Sequence, residues 1–389
     1  MRINHTFSLE ELDSISPFHR NITEEERDRR NSLRQDICKR INKSNFDNTW
    51  ILPKVIKGKL TISPENQDVA ATLRKLYLDL EKLFKIKQSN RNRIIKQVLR
   101  LVNDTNDGFI SKTDISAFYE SIPVDGILDL IDESGLLGNQ SSKYLRWIIS
   151  RSKELGVSGL PRGISISPIL AEIYMRKFDR AITEMGGVYF YARFVDDIII
   201  FHTKEIVDFE SFINSHFDQP LQIRIEKTFA NKKTPLIGDF QYLGYKIQKK
   251  DGKKSAYVSL AEKKEERFKR KIIASIIRYK REKNTRILAN RLRFLTANFP
   301  RRKGGGRSLL AGIYFNYPLL SDRALLPLDS FLRVKINSLA EWASRYQPSD
   351  KPIIESMRRY SFSEGWKRRI VYSHSLEEIK EIRKAWRYE

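Results

Sequence analysis

The sequence contains a single cysteine, Cys38, among 389 residues. One thiol forms no intramolecular disulfide, so we expect a cytosolic protein. A single cysteine also excludes a Cys-rich zinc module. No apolar run approaches the roughly 20 residues of a membrane helix, and the polar start of the chain is unlike a signal peptide. We therefore expect a cytoplasmic protein with no membrane partner. Binding to a membrane surface is the weaker alternative, because no amphipathic anchor stands out.

Acidic residues are scarce relative to basic ones. The chain has 48 Asp and Glu against 72 Lys and Arg, which gives a net charge of +24. Hydrophobic residues make up 40% and aromatic residues 11% of the chain, which excludes a largely disordered basic tail. The length suffices for two to three domains with a buried core. A folded, strongly cationic protein of this kind indicates a polyanionic partner.

The positive charge is concentrated in one region. Between Lys246 and Arg307 there are 22 Lys and Arg residues against five acids, a net of +17, which leaves +7 for the rest of the chain. The centre of this region has apolar residues at one face of a helical period: Phe268, Ile272, Ile276 and Tyr279. A solvated helix face is the simpler interpretation of one such helix. A block with so few acids nevertheless favours neutralisation by phosphates, with strongly salt-dependent binding.

The pattern of hydrophobic residues predicts a mixed sheet layered with helices. Residues 1–90 have a mostly helical pattern, with helices at 24–41 and 69–86 and a loop or short strand at 50–53. Between residues 107 and 245, short β-branched or aromatic runs alternate with helical stretches. The predicted strands are 108–113, 188–192, 198–201 and 242–247, and the predicted helices are 124–133, 142–150, 168–184 and 208–216.

The last third of the chain is predicted to be basic and helical. Pro300–Arg307 interrupts it as a mobile basic loop, and an aromatic-rich helical region follows at 310–389 with Trp342, Trp366 and Trp386. Two interpretations of this last region stay open. It forms a helical cap buried against the preceding basic region, or it stacks its aromatic rings on unpaired bases of a structured RNA.

Three acidic residues follow or separate strand-like runs. Asp196 and Asp197 lie between two apolar runs, where a tight hairpin turn would keep both carboxylates from being buried without a partner. A plain Asp-Asp turn is the alternative interpretation. Asp114 follows the apolar run at 108–110, so it would meet Asp196 if the two strands are neighbours. Such carboxylate clusters suit Mg²⁺ or Mn²⁺, and two ions would support an in-line phosphoryl displacement.

The segment from Gly159 to Leu170 is a glycine-bracketed loop that leads into a helix. Ser167 and Pro168 fit the N-cap and first helical positions. Gly163 would allow close packing of a base pair or nucleotide, and Arg162 could meet a phosphate. Alone, the segment is more typical of an ordinary loop-to-helix junction than of a functional site.

Taken in chain order, these segments resemble the conserved motifs of the reverse transcriptase family. Five segments carry the resemblance: Lys112–Tyr119, Gly159–Leu170, Arg193–Asp197, Ile225–Thr228 and Phe240–Tyr245. The third has Phe194 where the family usually has Tyr, and the fifth is similar to the primer grip. The resemblance covers residues 90–247. It implies an α+β right-hand polymerase with a ferredoxin-like palm, a helical fingers extension and a helical thumb.

The resemblance also implies roles for individual residues. Asp114, Asp196 and Asp197 would be the catalytic acids and would bind two Mg²⁺ or Mn²⁺ ions, with the Ile115 carbonyl as a further ligand. Lys227 would act as general acid towards pyrophosphate; otherwise it is a surface lysine. Tyr119 would lie under the incoming sugar and exclude a 2′-hydroxyl; its alternative is a palm core aromatic.

The remaining implied contacts concern the nucleotide and the primer. Arg91 and Arg93, with Lys96 nearby, would supply cations to the triphosphate. Arg162 stands where the family commonly has Gln, which favours a phosphate contact over a base-pair contact. The other implied contacts are with substrate at Gly163 and Ser167, and with the primer at Tyr242, Leu243 and Gly244.

The chain shows no ribonuclease H, integrase or zinc endonuclease segment, so it resembles compact prokaryotic reverse transcriptases. The sequence of Asp114–Ile122 and the lack of a clear Val-Thr-Gly thumb motif favour the defence-associated, abortive-infection group over retrons. The resemblance implies dNTPs, a noncoding RNA template, an RNA/DNA duplex, and either a second polymerase subunit or a homo-oligomer. A retron or intron-type reverse transcriptase, a non-catalytic RNA-binding scaffold with a polymerase fold, and an RNA-dependent RNA polymerase are the alternatives.

The expected organisation has four parts. Residues 1–90 form an N-terminal helical extension and fingers, and 91–247 form the fingers and palm catalytic core. Residues 248–309 form the basic thumb, and 310–389 form the C-terminal helical region.

Overall fold

The structure is a computed structural model that describes residues 6–16, 23–56, 58–104, 107–217, 222–234, 238–302 and 308–386. Contacts divide the chain into two compact units. The first unit comprises Met1–Asn90 and Asp107–Lys233, and the second comprises Arg91–Asn106 and Thr234–Glu389. The expected division into four functional parts stays a prediction. No helix in the described ranges is long and apolar enough to cross a membrane.

Helices and strands are both well represented, and the chain has the expected α+β composition. The helices are α1 (Leu9–Ile15), α2 (Glu24–Asn42), α3 (Gln67–Leu83), α4 (Arg91–Asn103), α5 (Phe118–Ser121), α6 (Val124–Glu133), α7 (Asn139–Glu154), α8 (Ser167–Glu184), α9 (Phe209–Asn214), α10 (Glu262–Glu282), α11 (Thr285–Thr296), α12 (Ile313–Asn316), α13 (Leu326–Tyr346), α14 (Lys351–Ser356), α15 (Phe362–Lys367) and α16 (Leu376–Lys384). Short 3₁₀ helices lie at Ile225–Lys227, Pro348–Asp350 and Met357–Arg359.

The strands form small sheets, and every strand pair with a described register is antiparallel. They are β1 (Ile51–Ile56), β2 (Lys59–Pro64), β3 (Gly108–Asp114), β4 (Val188–Phe194), β5 (Asp197–His202), β6 (Phe229–Thr234), β7 (Gly238–Tyr242), β8 (Tyr245–Lys249), β9 (Tyr257–Leu260), β10 (Asn298–Arg302) and β11 (Ser308–Gly312). β1–β2 and β10–β11 are hairpins, and β7–β8–β9 is a three-stranded sheet.

The central sheet of the first unit has the spatial order β4-β5-β3-β6. Along the chain these strands alternate with helices as β3, α8, β4, β5, α9, β6, if the additional helices α5–α7 are set aside. This is the β-α-β-β-α-β order of a ferredoxin-like motif. The hydrophobic face of the sheet and the surrounding helices share one core, with Leu76, Tyr144, Leu170, Phe178 and Ile200 among its buried members.

Local sequence signals explain where several helices begin. The side chain of Asn66 accepts hydrogen bonds from the backbone N–H groups of Asp68 and Val69 and so caps α3. Ser375 and Glu378 form a complete capping box at the start of α16. α6 was predicted with the bounds that it has, and α8 within one residue.

The second unit places its basic helix against the C-terminal region. α10 buries Ile272 and Tyr279, and the Tyr279 hydroxyl donates a 2.6 Å hydrogen bond to Asp350. The indole N–H of Trp386 donates to the Lys271 carbonyl and the Ser275 hydroxyl, each at 3.1 Å. The end of the chain therefore packs as a cap on α10.

Two predicted elements differ from the structure. Residues 242–247 were predicted as one strand, but Leu243 and Gly244 turn the chain between β7 and β8 because both have positive φ values. Pro300 was predicted to open a loop, but 300–302 lie in β10. Pro is tolerated there because β10 lies at the edge of a two-stranded sheet. The rest of that predicted loop, at 303–307, lies outside the described residues.

Candidate metal centre and nucleotide site

Strand register brings the three predicted acids to one edge of the central sheet. β3 and β5 are antiparallel neighbours, and Asp114 at the end of β3 is the register partner of Asp197 at the start of β5. Phe194 pairs with Asp197 from the other side, so β4 and β5 form a hairpin with Val195 and Asp196 at its tip. The two strands are neighbours, as the meeting of Asp114 with Asp196 requires, and both are buried over most of their length.

The carboxylates are close enough to share a cation. One oxygen from each of Asp114, Asp196 and Asp197 lies within 4.8 Å of the others. Asp114 is buried, with 1% of its surface exposed, whereas Asp196 and Asp197 are half-buried. Hard oxygen donors in this arrangement suit divalent cations of the Mg²⁺ and Mn²⁺ type.

The hairpin tip holds a strained residue. Val195 has φ = 60°, a left-handed conformation that is uncommon for a β-branched side chain. Two hydrogen bonds fix the turn: the Val195 carbonyl accepts from Arg193 at 3.0 Å, and the Asp196 carbonyl accepts from the Ile115 N–H at 3.1 Å. The second bond joins the tip to the segment that follows Asp114, so the separation of the acids is held by backbone contacts.

Arg193 anchors the hairpin to α8. Its guanidinium is buried and forms ion pairs with Glu172 at 2.6 Å and Asp179 at 2.8 Å. Tyr191 also donates a 2.6 Å hydrogen bond to Asp179. The residue before the aromatic-x-Asp-Asp segment is therefore a structural support of the site, a role that the sequence analysis did not assign to it.

Three cationic residues surround Asp114. Lys227 contacts one carboxylate oxygen at 2.7 Å, and Arg224 contacts the other at 3.1 Å. Lys112 is buried on β3, and its ammonium donates a 3.1 Å hydrogen bond to the carbonyl of Lys227.

Arg224 and Lys112 were missed from the sequence, although their spacing carried a signal. Lys112 lies two residues before Asp114 on a strand and so shares its face. Arg224 precedes Lys227 by three residues, and side chains with this spacing are aligned on a 3₁₀ turn.

Burial makes the cluster unfavourable for negative charge on its own. It raises the pKa of Asp197 to about 6, and the charges of Asp196 and Asp114 add to the increase while Lys112 opposes it. Burial followed by repulsion from Asp114 also raises the pKa of Asp196. The Oδ1 atom of Asp114 is buried, and its 3.1 Å ion pair with Arg224 lacks the geometry of a hydrogen bond. These acids fit a divalent cation, whose charge would stabilise all three carboxylates.

The predicted sugar-contacting residue, Tyr119, lies in α5 and is covered by Arg162. The Arg162 guanidinium lies 5.1 Å from the ring centroid of Tyr119 and forms bidentate hydrogen bonds of 2.6 and 2.9 Å with Glu120. These bonds lower the pKa of Glu120. Arg162 is therefore paired with a carboxylate in the structure, and its contact with a phosphate stays a prediction.

Two other residues of this loop have structural roles. A Cβ atom at Gly163 would overlap the carbonyl oxygen of Ile62, so the close approach inferred there is to β2 of the protein itself. Ser167 was expected to cap α8, but it is the first helical residue, is buried, and donates its hydroxyl hydrogen bond back to the Pro161 carbonyl. The N-cap position is Ile166, so that expectation was wrong.

The remaining predicted residues lie in the second unit. Tyr242 is buried at the end of β7, and the Leu243 carbonyl at the turn accepts hydrogen bonds of 2.8 and 2.5 Å from Arg91. Arg91 also donates to the Asn316 carbonyl at 2.6 Å. Its guanidinium supports the predicted primer-grip turn, whereas the family resemblance implies a contact with the triphosphate. Arg93 follows on α4.

Comparison with known proteins agrees with this geometry. No curated protein matches the chain at a significant level. Residues 63–247 match the family model described as reverse transcriptase (RNA-dependent DNA polymerase). This span contains the acid cluster, Tyr119, Lys227 and the β7–β8 turn. Residues 63–247 therefore form a reverse transcriptase domain.

Proposed function

We propose that the protein is an RNA-templated DNA polymerase in which Asp114, Asp196 and Asp197 hold two divalent cations, Mg²⁺ or Mn²⁺. The observation that carries the proposal is the convergence of these carboxylates within 4.8 Å at the edge of a ferredoxin-like sheet. When bound, two such ions activate an attacking hydroxyl and stabilise the departing phosphate.

The protein's own residues then position the reactants. The hydrogen bond between Ile115 and Asp196 keeps the hairpin tip beside β3, so the acids do not have to rearrange before substrate binds. Lys227, whose ammonium is 2.7 Å from Asp114, is placed at the cluster to approach the triphosphate and to give a proton to pyrophosphate as it leaves. Its side chain is 33% exposed, which leaves it accessible to a substrate.

Sugar selection is assigned to Tyr119. Its ring contacts Phe118 at 5.4 Å in a T-shaped arrangement and is held on another side by Arg162. We infer that a ring fixed in this way excludes a 2′-hydroxyl, because moving the ring would disturb the pair of Arg162 with Glu120. We therefore propose deoxynucleotides as the substrates, which distinguishes this activity from RNA synthesis.

The template–primer duplex is assigned to the basic second unit. The apolar side of α10 is buried against the C-terminal region, which leaves Lys263, Arg267 and Arg270 on its exposed surface. Such side chains contact backbone phosphates, which position a duplex without reading its sequence. The net charge of +17 between Lys246 and Arg307 supports this assignment.

We further propose a role in prokaryotic antiviral defence, with a noncoding RNA as template. The support is the resemblance of Asp114–Ile122 to the first palm motif of defence-associated reverse transcriptases. The test is plaque formation by phage on cells that carry the gene, with a catalytic variant as control. Sequencing the nucleic acid bound to purified protein before and after addition of dNTPs would identify the template.

The enzymatic proposal is tested by changing Asp196 and Asp197 together to Ala. We expect this variant to lose nucleotide incorporation and to keep RNA binding, because the acids lie in the first unit and most of the excess basic charge lies in the second. Incorporation at the wild-type rate would contradict the proposal. A non-catalytic RNA-binding scaffold would instead lose its function when the second unit's lysines and arginines are neutralised and keep it when the acids are changed.

A further inference from the structure

A cavity of about 490 Å³ lies inside the second unit. Its walls come from α10, the end of α11, β10, α12 and the residues at the end of α16. The volume is within the roughly 300–1,000 Å³ of small-molecule sites. All of its lining residues belong to the second unit, so the cavity is a feature of one compact body.

The polar rim of the cavity is cationic. Four basic residues line it: Lys264, Arg267, Lys271 and Arg383. No described acidic residue is among the lining residues, and neither Arg267 nor Arg383 forms an ion pair in the described part of the chain. Both arginines are exposed. The two arginines have no carboxylate partner among the described residues, and this favours an anionic group at the rim.

The wall of the cavity is aromatic. Phe294 and Phe299 stack with ring centroids 4.0 Å apart and an angle of 19° between their planes, and both are half-buried. Trp386 lies 5.8 Å from Phe294, and its indole N–H is already bonded to α10. These rings present apolar faces that a flat heteroaromatic ring can stack on.

We propose that this cavity binds one unpaired nucleotide of a nucleic acid strand. Its base stacks on the Phe294–Phe299 pair, and its phosphates contact Arg267 and Arg383. Cations and aromatic faces together match a nucleotide, whereas an apolar ligand would gain nothing from the rim and inorganic phosphate nothing from the rings. Asn316, at the edge of the cavity, offers a donor and an acceptor for the base.

The place of the cavity favours a strand over a free nucleotide. A Cβ atom added at Gly244 would lie 3.4 Å from Lys264 and 3.7 Å from Tyr317, both of which line the cavity. The cavity is therefore adjacent to the β7–β8 turn. The basic region between Lys246 and Arg307 contains part of the cavity lining and offers cations to the phosphates of the neighbouring nucleotides. A strand would place one nucleotide in the cavity and its neighbours on this surface.

The test uses the full-length protein and a single-stranded RNA dodecamer with 5-bromouridine at one position, irradiated in EDTA without dNTPs. We expect the crosslinked peptide to contain Phe294, Phe299 or Trp386. Phe299→Leu keeps apolar volume but removes the ring, and should lower the crosslink yield about tenfold, as expected for one lost base stack. Phe315→Leu, outside the cavity, is the matched control.

The second test compares the crosslink yields of two Arg→Gln variants of α10, with the protein in excess over the RNA. Arg267→Gln should lower the crosslink yield at saturation about fivefold, while Arg281→Gln removes the same charge on the same helix outside the cavity and should not. Crosslinks that map only to other segments, or equal effects of the two arginine variants, would overturn the proposal. If millimolar AMP abolished crosslinking to the cavity residues while the RNA stayed bound to the protein, the cavity would be a site for a free nucleotide. That result would overturn the assignment to a strand. Because the assay needs no catalysis, loss of polymerase activity leaves its result unchanged.

Discussion

The two units use their charged residues in opposite ways. In the first unit, cations are matched with carboxylates in buried groups, as in the pairs of Arg34 with Asp68 and of Arg193 with Glu172. In the second unit, many cations of α10 lie on its surface and outnumber the acids around them. The buried pairs fix a geometry, whereas the exposed excess attracts a polyanion without fixing its position. This contrast supports the proposed division, with chemistry in the first unit and nucleic-acid binding in the second.

Within the first unit, a change in the acid cluster should reduce nucleotide incorporation more than any other change. Asp114→Asn removes one charge but keeps the size of the side chain, so Lys227 and Arg224 lose their carboxylate partner. We expect incorporation of dNTPs to fall by at least about 10³-fold, since loss of charge stabilisation at the reacting phosphate costs several kcal/mol. Single-nucleotide extension of an annealed primer measures the rate of incorporation. Asp125→Asn, an exposed acid of the same unit, is the control, and a similar loss in both variants would contradict the assignment.

The next effect should come from the support of the hairpin. Arg193→Met leaves Glu172 and Asp179 facing each other without their cation, and we expect the first unit to lose about 3 kcal/mol of stability. Cys38 is the single cysteine of the chain and lies in the first unit, so labelling of its thiol reports the unfolding of that unit. The thiol is buried, and burial raises its pKa to about 11, so it reacts slowly until the unit unfolds. Labelling of the thiol across a urea series measures the change.

The exposed pair of Arg180 with Glu184 provides the comparison for Arg193. Arg180→Met should leave the urea midpoint of thiol labelling unchanged, because solvent screens that pair. Equal midpoints for Arg193→Met and the wild type would show that the buried pairs of the first unit are not what holds its geometry.

Sugar selection should change by a smaller factor. Tyr119→Ala opens space under the incoming sugar, and we expect preference for dNTPs over NTPs to fall about 10- to 100-fold. Arg162→Gln should reduce the preference less, because it removes the contact that holds the ring and keeps the ring itself. Competition between dGTP and GTP on one template measures both. Unchanged preference in Tyr119→Ala would refute the role of this residue in excluding the 2′-hydroxyl.

The smallest effect should come from single cations of the second unit. Each of Lys263→Gln and Arg270→Gln should reduce the slope of log affinity against log salt concentration by about one for duplex binding. Activity at saturating duplex should stay at the wild-type value. Arg180→Gln, in the first unit, serves as the control, and an equal reduction in slope there would remove the contrast between the two units.

Much of the site was predictable because it depends on local sequence. The apolar runs on both sides of Asp196 and Asp197 predicted the hairpin, and the run before Asp114 predicted a strand that ends at this acid. The left-handed Val195 was not predictable, since a β-branched residue rarely adopts that conformation and only tertiary contacts hold it there. Ser167 had the sequence of an N-cap, but its hydrogen bond to Pro161 placed it inside the helix.

Long-range partners account for the other differences. Arg162 and Arg91 were expected to meet phosphates because they are cations in suitable segments. Their actual partners, Glu120 and the Leu243 carbonyl, lie 42 and 152 residues away in the sequence. Composition and periodicity carry no information about such pairings. Gly163 was correctly identified as a site of close approach, but sequence alone could not say that β2 was the approaching element.

Template-directed incorporation on homopolymers tests the central claim most directly. Purified protein is given Mg²⁺ and labelled dTTP with oligo(dT) on poly(rA), and in parallel with oligo(dG) on poly(rC). The account predicts incorporation of dTTP on poly(rA) only, and loss of that incorporation in Asp114→Asn while the duplex stays bound. Equal incorporation on both templates, or incorporation by Asp114→Asn at the wild-type rate, would contradict it.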